Sequence, residues 1–191
     1  MITQNSPMWG TVAFAAGTWG SSGRVGRTVR RNGFLGVIFM ALFTGTYVNK
    51  VDKKGRVSLP ADFRAELPEE GQRLVYVYRS PKDQALEACD KAFMQRLADS
   101  VEELAMFSDD ENDLSATIVG DARRQQMDET GRISLPPEFI AYAGIGERAT
   151  FVGRGSRFQI WQPERFEDHA RTARERARGR TLKLRRPEGM Q

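Results

Sequence analysis

A chain of 191 residues, 40 % of them hydrophobic, can bury a core as one ordinary domain or as two small ones, and its formal net charge is +4. Its single cysteine, Cys89, excludes an intramolecular disulfide and a thiolate metal cluster within one chain, and suits a reducing compartment. The single histidine, His169, has no second His or Cys near it in the chain, so a metal site or a Ser-His-Asp triad lacks parts; the ring is expected to be solvated, and no cofactor is implied.

Residues 1–39 are rich in Gly, Thr and Ser and hold Arg24, Arg27, Arg30 and Arg31 without one acid, which accounts for the whole +4 excess. An apolar run, Phe34 to Phe43, follows the basic cluster and imitates a signal peptide, yet it is too short to cross a bilayer as a helix. A secretion signal, a disordered basic arm and upstream sequence ahead of a true start at Met40 all fit. The last is preferred, because a cleaved signal would destroy the apolar face of the strand that follows, so 1–39 is expected to be poorly packed or non-native.

Internal repetition organises the rest. Residues 51–63 read V-D-K-K-G-R-V-S-L-P-A-D-F and residues 127–139 read M-D-E-T-G-R-I-S-L-P-P-E-F, the two aspartates lying 76 positions apart. In the first copy, Thr46 to Val51 alternates as a half-buried strand does. Asp52-Lys53-Lys54-Gly55 supplies a tight turn, in which Asp bonds the turn's own N–H groups and Gly takes a positive φ without a Cβ penalty. Arg56 to Leu59 resumes the strand, Val57 and Leu59 on one face and Arg56 and Ser58 on the other. Pro60 then stops it and opens a short helix, Ala61 to Leu67. The second copy repeats these steps through Asp128, Gly131, Arg132, Ile133, Leu135 and Pro136.

Each half continues with two strands and a longer helix. Leu74–Tyr78 and Leu86–Cys89 precede a helix expected from Lys91 to Phe107, with Phe93, Leu97, Val101 and Leu104 at helical spacing. Ala149–Gly153 and Phe158–Trp161 precede a helix opened by Pro163, whose far end should fray into a basic tail, 171–191. That helix has too poor an apolar face to lie on a membrane, and an acidic stretch, Asp99 to Asp113, carries no Lys or Arg. The division is therefore a leader 1–39, halves 40–110 and 111–170, and the tail.

An arginine fixed beside a glycine turn is held rigidly outward, and guanidinium suits both phosphate oxygens and the O6/N7 edge of guanine. Doubled at matching positions, the feature describes a pair of β-loops able to address double-stranded DNA. Arg56 and Arg132 are the base-reading or phosphate-binding candidates, with Lys53, Lys54 and Arg64 as phosphate partners in the first half. Glu129 and Thr130 at the matching turn positions make the second half electrostatically weaker. The competing reading of Asp52/Arg56 and Asp128/Arg132 is an ion pair that only fixes each hairpin; under either reading Asp52, Gly55, Asp128 and Gly131 are structural. Ser58 and Ser134 have no base placed by sequence, and the glycines form no phosphate-binding loop of the G-x-x-x-x-G-K-[ST] kind, so no catalytic residue is assigned.

At these residues the chain resembles the MraZ family of tandem SpoVT/AbrB-like transcriptional regulators. Phe43-Thr44-Gly45-Thr46-Tyr47 looks like the family's strand opening, and the D-x-x-x-R motifs fall on Asp52–Arg56 and Asp128–Arg132 with G-R-[VI]-S-L-P in both halves. The resemblance covers about residues 40 to 170. It implies a β-rich α+β fold in which two AbrB-like, swapped-hairpin-type halves form a pseudo-twofold barrel with flanking helices. It further implies a homo-oligomeric ring, sequence-specific binding upstream of the division and cell-wall gene cluster, and a cytoplasmic, nucleoid-associated place, with no membrane and no small-molecule substrate. The two motif arginines carry over as DNA-binding residues and the aspartates as their structural partners; Glu129 departs from equal use of both halves. The rival from another class is a ring-shaped protein-interaction scaffold without a primary DNA role.

Overall fold

The structure, a computed structural model, describes residues 26–31, 34–39, 41–67 and 73–181. Strands β1 (Gly26–Arg31) and β2 (Phe34–Phe39) pair antiparallel with each other in a sheet of their own, Arg31 opposite Phe34. The first six residues of the apolar run are thus strand; residues 1–25, most of the expected leader, lie outside the described residues.

The first half proceeds through β3 (Thr46–Lys50), β4 (Arg56–Ser58), α1 (Ala61–Glu66), β5 (Leu74–Arg79), β6 (Leu86–Cys89) and α2 (Lys91–Glu102). After α3 (Asp109–Leu114) and a π-helical turn at Ser115–Val119, the second half repeats the order as β7 (Arg123–Gln126), β8 (Arg132–Ser134), α4 (Pro137–Ala143), β9 (Arg148–Gly153), β10 (Arg157–Trp161) and α5 (Pro163–Ala177). Both prolines that follow the motif strands cap their helices from outside: Pro60 and Pro136 hold extended backbone at the N-cap, and Pro137 takes the first helical position. The helix expected to run to Phe107 stops at Glu102. Phe107 has φ +62°, which no helix continues through, and Ser108 opens α3 by accepting a hydrogen bond from the Glu111 N–H.

The main sheet is antiparallel with strand order β3-β9-β10-β6-β5-β7. Each half's leading strand therefore lies on the other half: β3 pairs with β9, and β7 pairs with β5. The short motif strands repeat the exchange in a ribbon, where β4 meets β8 with Arg56 opposite Ser134, Val57 opposite Ile133 and Ser58 opposite Arg132. Antiparallel alternation sends Val57 and Ile133 to one face, where they are buried in the core with Leu59 and Leu135. The opposite face carries Arg56, Ser58, Arg132 and Ser134.

That core is shared by both halves. Phe63 on α1, 1 % exposed, meets Phe43, Tyr47, Phe151 and Phe158 at ring centroid distances of 5.0 to 6.5 Å, mostly edge to face. Phe139 occupies the matching place on α4 and is equally buried. A side chain of this kind contributes about 1.5–3 kcal/mol by leaving water, so the ribbon is anchored by the residues that make its inner face apolar.

Candidate nucleic-acid interface

The two turns are built alike, atom by atom. The Asp52 carboxylate accepts from the Lys54 N–H at 2.8 Å and the Arg56 N–H at 2.9 Å through Oδ1, and from Arg56 Nε at 2.7 Å through Oδ2. Asp128 accepts from the Thr130 N–H, the Thr130 hydroxyl and the Arg132 N–H through Oδ1 at 2.7 to 2.9 Å, and from Arg132 Nε through Oδ2 at 2.9 Å. Gly55 and Gly131 donate to the aspartate carbonyls at 2.9 Å and adopt φ +74° and +80°, as the sequence reading requires of them. Donor bonds to the ionised carboxylate lower both acids below the ordinary range, the Arg56 and Arg132 backbone N–H groups contributing most.

The ion pair that competes with the DNA reading is thus present in both motifs, and it leaves the arginines available. Only Nε is engaged by the aspartate; among the described residues no acceptor lies at a terminal nitrogen of Arg56 or Arg132. Side-chain exposure is 38 % for Arg56 and 36 % for Arg132, so each guanidinium is oriented from behind and open in front. They share one face of the ribbon, on a diagonal about 7–8 Å apart by the geometry of an antiparallel ladder, with Ser58 and Ser134 directly across from them.

Arg64 does not lie at the turn of its own half, where its place in the chain suggests it. Because the strands exchange, α1 of the first half lies against the second turn: Arg64 donates to the Thr130 carbonyl at 3.3 Å and its guanidinium covers Gly131. The residue at the matching position of α4, Ile140, covers Gly55 of the first turn instead. Lys53 and Lys54 are exposed at the first tip. Arg64 thus stands beside the second turn, where the positions matching Lys53 and Lys54 are Glu129 and Thr130.

His169 also departs from expectation. Its ring packs on Trp161 with centroids 4.7 Å apart, and its side chain is 21 % exposed between Arg154 and Asp83, so it fastens α5 to the sheet and is not simply solvated. Among the described residues no group of His, Cys, Asp and Glu is arranged to hold a metal, and no helix is long and apolar enough to cross a membrane.

Comparison with known proteins agrees with the repeat. The family model described as "MraZ protein, putative antitoxin-like" matches residues 42–113 and 118–185, one stretch for each half. The chain is 39 % identical over 146 residues to the transcriptional regulator MraZ of Rickettsia canadensis (strain McKiel), covering 76 % of this chain and 98 % of that relative. It is 39 % identical over 136 residues to the transcriptional regulator MraZ of Pelagibacter ubique (strain HTCC1062), covering 71 % and 88 % respectively. With both repeats matched and relatives covered almost end to end, the chain belongs to the MraZ family.

Proposed function

We propose that this protein is a non-enzymatic transcription regulator that binds double-stranded DNA through the outer face of the β4–β8 ribbon. One observation carries the reading: two arginines on one face, each oriented through Nε by its own aspartate, present their terminal nitrogens outward. A two-stranded ribbon fits the major groove, and the terminal edge of a guanidinium can address guanine O6 and N7 or a phosphate. Lys53 and Lys54 beside the first turn, and Arg64 beside the second, serve as phosphate contacts. The name of the relatives, transcriptional regulator, supports the role.

The finer reading follows the family resemblance. Residues 40–110 and 111–170 are the two AbrB-like halves of a swapped-hairpin-type barrel, and strand exchange in both sheets supports that description. Copies assemble into a ring that engages repeated sites upstream of the division and cell-wall genes, in the cytoplasm and at the nucleoid. Linking weak contacts in register multiplies apparent affinity by roughly 10² to 10⁴. Fluorescence anisotropy of a labelled duplex from the gene's own upstream region tests the proposal. The wild-type chain should bind it more tightly than a shuffled duplex, and Arg56→Ala/Arg132→Ala should abolish binding while circular dichroism and oligomer size stay unchanged. Folded, assembled protein that binds no duplex would move the assignment to the scaffold reading.

A further inference from the structure

On residues that neither turn uses, the β5–β6 loop, the β9–β10 turn, strands β6 and β10 and helix α5 line an open cleft of about 740 Å³. That is within the usual size of a small-molecule site. Its floor is a satisfied polar network. Glu87, buried, accepts from Gln159 Nε2 at 2.6 Å and from Arg157 Nε at 3.0 Å, while the Gln159 carbonyl oxygen accepts from Trp161 and Arg154, both at 3.0 Å. Of the other acids, Asp168 is paired with Arg171 at 2.5 Å, and Asp83 lies beside the His169 ring, 3.8 Å from its Nδ1.

The cations are a different matter. Arg154 is held by no carboxylate: its partners are the Gln159 oxygen and His169 Nε2 at 3.3 Å, and His169 in turn is braced against Trp161. Among the described residues, Lys82, Arg154 and Arg176 line the cleft without a carboxylate within ion-pair distance. A concave site lined by three cations outside any ion pair, one of them oriented by a buried amide, offers their free N–H groups to an anion. Tyr78, Pro81 and Ile118 add an apolar wall that an inorganic ion alone would leave uncovered.

We propose that this cleft is an effector site for a small phosphate-bearing organic molecule, whose phosphate is held by Arg154, Arg176 and Lys82. A ligand there bridges α5 to the sheet and so stabilises the packing of the helix. The phosphate chemistry is shared with DNA, and the experiment separates the two sources. Isothermal titration of the full chain with AMP and with inorganic phosphate, at constant ionic strength, should give saturable one-to-one binding. Affinity should fall about tenfold or more in Arg154→Ala/Arg176→Ala, as expected for losing charge-assisted bonds. Lys82→Ala and Arg176→Ala, both exposed, provide variants that keep the fold and should each weaken binding too. Persistence of AMP binding in Arg56→Ala/Arg132→Ala would place the site apart from the DNA face. No saturable binding of either probe, affinity indifferent to the cleft variants, or AMP binding lost with the turn arginines would each overturn the proposal.

Discussion

The two turn glycines make a paired prediction, because their surroundings differ although their backbones match. An alanine at either position must hold φ near +74° or +80°, which costs an L-residue about 1–2 kcal/mol. At Gly131 the new Cβ would fall 1.9 Å from Arg64 Nη1, the far end of a flexible side chain that can swing away, adding the loss of one hydrogen bond to Thr130, about 1 kcal/mol. At Gly55 it would fall 2.8 Å from Ile140 Cδ1 and 3.0 Å from the Leu135 carbonyl oxygen. That carbonyl is backbone beside the ribbon, and overpacking of this kind adds about 1–3 kcal/mol. Urea denaturation should therefore give Gly131→Ala a loss of about 2–3 kcal/mol and Gly55→Ala a larger one, near 2–5 kcal/mol. The DNA readout should split differently. Gly131→Ala dislodges Arg64 and should weaken duplex binding about as much as Arg64→Ala does, with Arg132 still in place. Stability of either variant within about 0.5 kcal/mol of wild type, the range of an ordinary surface change, or a Gly131→Ala loss exceeding that of Gly55→Ala, would refute the account of the turns.

Other expectations follow from the same geometry. Phe63→Ala empties a site 1 % exposed in contact with four aromatic rings and should cost about 3–5 kcal/mol in a chemical melt, whereas a loss under about 1 kcal/mol would mean that the shared core is not the anchor of the ribbon. Burial pushes the Cys89 thiol up to about 12, so an aromatic disulfide reagent should react slowly with folded protein and at once in denaturant; equal rates would contradict the burial. Asp52 and Asp128 titrate lower folded than unfolded, so their contribution is present above the unfolded value, about 4, and is lost as pH falls through the folded values. The stability gap between wild type and Asp52→Asn/Asp128→Asn should accordingly be widest near about pH 6 and shrink toward about pH 2; a gap that grows on acidification would reverse the assigned sign.

The motifs were legible because local chemistry dictates them. Asp and Gly at fixed offsets specify the turn, alternation specifies which of Arg56 and Val57 faces outward, and Pro marks where each strand ends. Partners were not legible. Periodicity assigns a strand to a face but does not name its neighbour, so the exchange that puts β3 on β9 and β7 on β5 has no sequence signal, and neither has the place of Arg64 at the other half's turn. Two boundaries carry signals of their own. Ser108 followed by Glu111 is a capping pair that opens α3 and closes off the preceding helix, and the Asn32-Gly33 dipeptide between β1 and β2 is a strong hairpin signal. The charged neighbours of His169 in the chain suggest a solvated ring, while its neighbours in space include Trp161.

If both turns contact one duplex through their arginines, the salt dependence of binding reports it most directly. Each phosphate neutralised on B-DNA contributes about 0.9 to the slope of log affinity against log salt. Measured on the gene's own upstream duplex between low and moderate salt, the slope should be steep for the wild-type chain, and at each salt the affinity should fall for Arg56→Ala and for Arg132→Ala and most for the double variant, with a shallower slope where the arginine meets a phosphate and a weaker preference for the duplex over a shuffled one where it reads a base. A wild-type slope near zero, or affinity, slope and sequence preference that all stay the same when either arginine is removed, would contradict a DNA interface built from the two turns.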